Sequence, residues 1–130
     1  MIDGSCHCGA LGWRFTAPLA SATACNCTVC RRYGALWAYA HEGNGATLTG
    51  ASRSYAHGRA IDFHFCPTCG CLVAYRDRLP RGDGQRWLVV NLRMATDPAA
   101  IADLPIDHFD GLDSFEDLPR DHRRVRDLWF

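Results

Sequence analysis

The residues of this chain best suited to chemistry are its cysteines. Eight occur in 130 residues, and they fall in tight groups. Cys6 and Cys8 form C-x-C; Cys25, Cys27 and Cys30 form C-x-C-x-x-C; Cys66, Cys69 and Cys71 form C-x-x-C-G-C. Two thiolates from one tight turn can point at one tetrahedral ion, so such groups read as chelators. Eight cysteines can also form four disulfides, but that reading requires a secreted chain. The opening MIDGSCHCGA has neither the basic n-region nor the apolar h-region of a signal peptide, so a cytoplasmic, metal-binding chain is expected. Soft thiolates in a tetrahedral set suit zinc or an iron–sulfur cluster. The spacing follows neither common ferredoxin pattern, which leaves zinc as the preferred ion.

A closed structural zinc takes four protein ligands; a catalytic zinc commonly takes three and keeps one position open. The pair Cys6/Cys8 and the pair Cys66/Cys69 make a natural four-thiolate set, each at the edge of an expected strand. The middle group then supplies three thiolates, and Cys71 is left over. Its alternation with Val73 is expected to turn it away from Cys69. It reads as a small buried residue or, alternatively, as a redox-active thiol.

The elements that must hold these groups are mostly strands. Residues 10–16 alternate in polarity, and 35–40 read as a buried strand. Residues 53–57 and 61–65 flank Gly58 as a hairpin, with Ile61, Phe63 and Phe65 on one face. Gly70 is expected to supply the positive φ of the turn after Cys69. Strands at 71–76 and 87–92 are separated by the turn LPRGDG, and Cys25–Cys30 leads from a loop into a short helical turn. Thr96-Asp97-Pro98 reads as a helix start. Residues 97–121 carry eight acidic residues against one arginine, which suggests a less regular, solvated segment, and RRVRDLWF closes the chain. The expected fold is mainly β with short helices, in one zinc-binding domain over residues 1–130.

Composition narrows the function. Hydrophobic residues make up 48% and charged residues 22%, as in ordinary globular proteins. Fourteen basic residues balance fourteen acidic ones, so nothing in the bulk charge favours nucleic acid. No apolar run approaches the roughly 18 residues of a membrane span. All the basic residues are arginine, and with no lysine there is no Schiff base and no P-loop amine.

The order of motifs resembles the glutathione-dependent formaldehyde-activating enzyme family, which includes centromere protein V-like proteins. The matching segments are Gly4-Ser5-Cys6-His7-Cys8-Gly9, then Cys25-Asn26-Cys27-Thr28-Val29-Cys30-Arg31, then Phe65-Cys66-Pro67-Thr68-Cys69-Gly70. They span residues 4–76, and beyond about residue 93 the likeness is thin. The resemblance implies a folded β-sheet (a β-tent) with two zinc ions per chain. It places the structural zinc on Cys6, Cys8, Cys66 and Cys69, and the catalytic zinc on Cys25, Cys27 and Cys30. It also implies a carbon–sulfur lyase acting on a thiol adduct such as S-hydroxymethylglutathione, formed from glutathione and formaldehyde. Asn26 departs from the histidine often found at that place; it is not a ligand in the pattern, so retained metal and altered surroundings are expected.

Arg31 follows the last ligand and matches the family position. Its guanidinium fork suits a glutathione carboxylate, although two solvated arginines, Arg31 and Arg32, are the plainer reading. His7, Asn26 and His64 lie beside the candidate ligands, where hydrogen bonding around the metal is expected; His41 and His57 read as surface. His108 is expected either to shuttle protons near the catalytic zinc or, more simply, to serve structure. Tyr33 and Trp37 line a pocket or pack in the core. Two other readings stand beside the lyase. The middle cluster can be a second closed site, completed by Cys71 or a histidine, in a non-catalytic zinc-binding module. A redox enzyme resembling methionine sulfoxide reductase ranks last, because only Cys71 is spare.

Overall fold

The computed structural model describes residues 1–129; Phe130, the end of the basic aromatic segment, lies outside the described residues. The fold is mainly β. Eleven strands form one sheet system. They are β1 (Ile2–Ser5), β2 (Gly12–Phe15), β3 (Ala22–Cys25), β4 (Trp37–Glu42), β5 (Gly45–Thr49), β6 (Arg53–Tyr55), β7 (Ile61–Phe65), β8 (Leu72–Asp77), β9 (Trp87–Asn91), β10 (Ile106–Asp110) and β11 (Glu116–Leu118). The main path runs β1-β2-β5-β4-β9-β8-β7-β6, with β3, β10 and β11 branching from it. One four-residue helix, α1 (Cys30–Tyr33), stops at Gly34, whose φ of +63° is left-handed.

The central strands are buried on both faces. On β9, Leu88 and Val90 belong to one apolar cluster and Val89 to another. The run WLVVN therefore lacks the polar alternation of a half-exposed strand. β4 splits in the same way: Ala38 and Ala40 pack with Leu11, Trp13, Phe15 and Leu36, while Trp37 packs with Phe63, Leu72 and Cys30. Where β4 begins and β9 ends, the buried Asn91 satisfies three backbone groups. Its Oδ1 accepts from Leu36 N and Arg93 N at 3.2 Å each, and its Nδ2 donates to Leu72 O at 2.9 Å.

The hairpin expected around Gly58 is present, with Arg53 opposite Phe65 and Tyr55 opposite Phe63. Three departures from expectation bear on the site. Strand β8 starts at Leu72 after an irregularity at His64/Phe65, so strand alternation does not reach Cys71. The helix start at residues 96–98 is a single 3-10 turn, Pro98–Ala100, capped by Asp97 Oδ1 accepting from Ala99 N at 3.0 Å. The acidic segment is ordered: β10 pairs in parallel with β3, setting Phe109 opposite Cys25, and antiparallel with β11. Among the described residues, no helix is long and apolar enough to cross a membrane.

Candidate functional site

All eight cysteines are free thiols. The Sγ atoms of Cys6, Cys8, Cys66 and Cys69 lie within 4.8 Å of one another. Cys8 Sγ stands 3.6 Å from both Cys6 Sγ and Cys66 Sγ. A tetrahedron with zinc–sulfur bonds of about 2.3 Å has edges of about 3.8 Å, so this set has the size of a zinc cage. Two matching turns build it. In the first, Gly9 N donates to Cys6 O at 3.0 Å and Leu11 N to Cys6 Sγ at 3.3 Å. In the second, Gly70 N donates to Cys66 O at 2.9 Å and Thr68 N to Cys66 Sγ at 3.4 Å. Gly70 has the positive φ expected of it, +78°. Backbone N–H groups stabilise the thiolate form: those of Cys71 and, next, Cys8 draw Cys69 down to about 5.

Cys71 is half-buried against the core and stands outside the four-thiol group. The His7 backbone N–H pulls its thiol down, but burial and the Cys69 thiol outweigh that and leave it raised. The strand whose alternation would have rotated it outward begins one residue later.

Cys25, Cys27 and Cys30 form the second cluster, their Sγ atoms also within 4.8 Å of one another. Cys25 ends β3, Cys27 lies in the following turn, and Cys30 opens α1. Cys27 N donates to Cys25 Sγ at 3.4 Å and Cys30 N to Cys27 Sγ at 3.3 Å. Trp37, 1% exposed, donates its indole Nε1 to Cys30 Sγ at 3.3 Å. Burial pushes the Cys30 thiol up while that indole pulls it down. Cys27 sits below its ordinary value, because the N–H groups of Cys30 and Val29 and its neighbouring thiols outweigh the upward push of burial. Three converging thiols, each accepting one N–H, fit one soft tetrahedral ion whose fourth position no protein thiol fills.

That position adjoins a cavity of about 180 Å³. Besides the three cysteines, its walls are Val29, Trp37, Tyr39, Ile61, Phe63, Tyr75, Phe109, Gly111 and Phe115. Trp37 and Tyr75 meet edge-on with centroids 4.8 Å apart, as do Phe109 and Phe115 at 5.0 Å. Burial raises both phenols, Tyr39 and Tyr75, above the usual tyrosine range.

Asn26 holds the far wall. Its Nδ2 donates to Asp110 Oδ1 at 3.0 Å, and its Oδ1 accepts from Leu112 N at 3.0 Å. Asp110 also accepts from Ser114 N at 3.1 Å and Ser114 Oγ at 2.9 Å. The Ser114 N–H first, then Asn26 and the Ser114 hydroxyl, hold Asp110 well below the carboxylate range.

Of the other candidates, all but Trp37 fall outside this cavity. Arg31 is exposed and does not line it. Arg32 and Tyr33 line a separate cleft of about 390 Å³ together with Thr28, Val29, Tyr55 and His57. His108 Nε2 faces Asp121 Oδ1 at 3.2 Å, not the thiols. His64 is half-buried, with Ser52 Oγ 2.8 Å from its Nδ1. Trp37 fills both roles considered for it, since it is core and cavity wall at once. Sequence reasoning missed Tyr39, Phe63, Tyr75, Phe109, Gly111 and Phe115. Period-two alternation from Ile61 pointed to Phe63, but nothing local marked the residues after 106.

Residues 1–103 match the family described as "Glutathione-dependent formaldehyde-activating enzyme". Among solved structures, the chain is similar to a Rhodobacter sphaeroides protein studied by crystallography as a structural genomics target. The two are 28% identical with a TM-score of 0.61, over 81% of this chain and 99% of that one. No curated protein matches the chain.

Proposed function

The chain belongs to the glutathione-dependent formaldehyde-activating enzyme family, and from that premise we propose that it is a zinc-dependent carbon–sulfur lyase. Its substrate would be a thiol–carbonyl adduct, S-hydroxymethylglutathione being the family's example. Cys6, Cys8, Cys66 and Cys69 would hold a structural zinc, and Cys25, Cys27 and Cys30 a catalytic one. The observation that carries the reading is the contrast between the clusters: four thiols close on themselves, whereas three thiols line a cavity. Among the described residues neither Cys71 nor a histidine joins the three thiols, and His108 faces Asp121.

Zinc at the three thiolates would supply one thing, a lowered pKa for a substrate thiol bound beside it at neutral pH. The chain's own residues do the rest. The aromatic walls exclude water from the reacting sulfur and carbon. The Trp37 indole N–H stabilises charge on Cys30 Sγ. In the synthetic direction the sulfur lone pair forms a bond to the carbonyl carbon, the C=O π pair moves to oxygen, and that oxygen takes a proton. Tyr39 and Tyr75 line the cavity as phenols that burial keeps protonated, so either can donate a hydrogen bond to that oxygen, while the proton it takes is the one the substrate thiol gave up; cleavage returns that proton to the sulfur. Arg31, at the family position but exposed, would meet a substrate carboxylate only outside the cavity. Eight reduced thiols suit a reducing compartment, and the cytoplasm is the proposed location.

The test is zinc content per chain. Wild type should carry about two ions by the one-closed, one-open assignment. Cys27→Ser should carry one and keep the wild-type circular dichroism. Loss of the fold in Cys27→Ser would sink the catalytic assignment.

A further inference from the structure

The cavity beside the three thiols has a chemical character of its own. None of its lining side chains is a carboxylate, a guanidinium or an imidazole. Its walls are hydrocarbon and ring, with Val29, Trp37, Ile61, Phe63, Phe109 and Phe115 making most of it. At about 180 Å³ it is smaller than the roughly 300–1,000 Å³ of pockets for drug-sized ligands. It is close to the apolar cavity of about 150 Å³ that accepts a benzene ring.

A charged tripeptide suits this space poorly. Three thiolates around a dication already leave a net negative charge, and glutathione adds two carboxylates that find no cation on these walls. The nearest cleft with a guanidinium is the one lined by Arg32 and His57, on the other side of Val29. There Arg32 Nη1 is already donating to Thr28 O at 2.7 Å.

Phe115 is the second observation. It is 74% exposed, its φ is +58°, and it still lines the cavity. A bulky residue in the left-handed region is strained, and a large exposed aromatic ring gains little from folding. Both features sit where a ligand's hydrocarbon would cover the ring. Phe109 and Phe115 also lie beyond residue 103, outside the family-matched part of the chain.

We infer that the thiol this centre takes is small and apolar, an aryl or branched-alkyl thiol or its one-carbon carbonyl adduct, selected by the Phe109/Phe115 wall. The inference rests on the lyase reading above, since it presumes that the three-cysteine centre binds a substrate sulfur.

Calorimetric titration of the zinc-loaded full chain under anaerobic conditions tests it, with phenylmethanethiol, glutathione and phenylmethanol as probes. Phenylmethanethiol should bind at least about tenfold tighter than glutathione, the scale of burying part of one ring. Phe115→Ala should weaken phenylmethanethiol by about as much and leave glutathione unchanged. Glutathione binding as tightly as phenylmethanethiol or tighter, and weakened by Arg32→Ala, would overturn the apolar substrate class while sparing the lyase reading. An unchanged phenylmethanethiol affinity in Phe115→Ala would overturn the assigned wall, and the inference with it. If neither thiol binds, or if phenylmethanol binds as well as phenylmethanethiol, the sulfur is not being read. The lyase reading then fails, and the inference fails too.

Discussion

Gly111 stands so close to Cys25 that a β-carbon built on it would lie 2.7 Å from the Cys25 Sγ and 2.9 Å from the Cys27 Cβ. The loop after β10 therefore packs its backbone directly on the three-thiol cluster. Gly111→Ala must push either the loop or the ligands aside. The expected result is a fall of roughly 10–100-fold in zinc affinity at that centre, with the four-thiol centre untouched. Competition with a chelator, read as one fast and one slow zinc per chain, checks it; two slow ions would refute it.

Trp37→Phe removes the only indole donor on Cys30 Sγ while keeping a ring in the core. A lost N–H to a metal-bound thiolate is expected to cost about tenfold in zinc affinity at the three-thiol centre. The urea midpoint of the fully zinc-loaded protein should fall only modestly. Measuring both separates a role at the metal from one in packing.

Cys71 lies two residues after Cys69 but is not one of the four thiols within 4.8 Å of one another. Cys71→Ser should therefore still carry about two zinc ions per chain by elemental analysis. A drop to one ion would make Cys71 a ligand and displace one of the four.

Asp77 is buried, and its Oδ2 accepts from Arg81 Nε at 2.8 Å and from Trp87 N at 3.0 Å. The Arg81 guanidinium first, helped by the Trp87 N–H and opposed by burial, holds its carboxyl below the usual range. A depressed folded-state pKa adds stability that is fully present above the unfolded value of about 3.9 and lost as pH falls through the folded one. Asp77→Asn should thus be less stable than wild type at pH 7, with the gap closing as pH falls below about 3.9. Acid also strips zinc from thiolates, but it does so in both proteins, so the difference between their urea midpoints isolates Asp77.

The two cysteine clusters were legible because their geometry is local: a C-x-C or C-x-x-C turn brings two sulfurs together wherever the chain then goes. The strand at residues 61–65 was legible for a similar reason, since period two shows within five residues. The β3–β10 pairing was not. It joins residues 22–25 to 106–109 in parallel, and nothing near either strand announces the other. The acidic residues around β10 suggested a solvated segment, yet two half-buried ones hold the fold through hydrogen bonds. Asp107 Oδ2 accepts from Ser21 Oγ at 2.5 Å, and Asp110 organises the turn that carries Gly111 and Phe115. Carboxylates that cap turns and carboxylates that face water look alike in sequence. The strand expected at 71–76 forms one residue later, at Leu72–Asp77, so Cys71 lies just before it.

The parallel register that sets Phe109 opposite Cys25 divides the molecule along its sequence. The three clustered thiols come from residues 25–30, and one whole wall of the cavity comes from residues 109–115, some eighty positions later. Such a layout makes the two separately editable. Exchanging the loop between Asp110 and Glu116 among relatives, with Gly111 kept, would transplant a different mouth onto an unaltered metal cage. A lineage that drifts in this tail can thus acquire new clients without reinventing its inorganic chemistry.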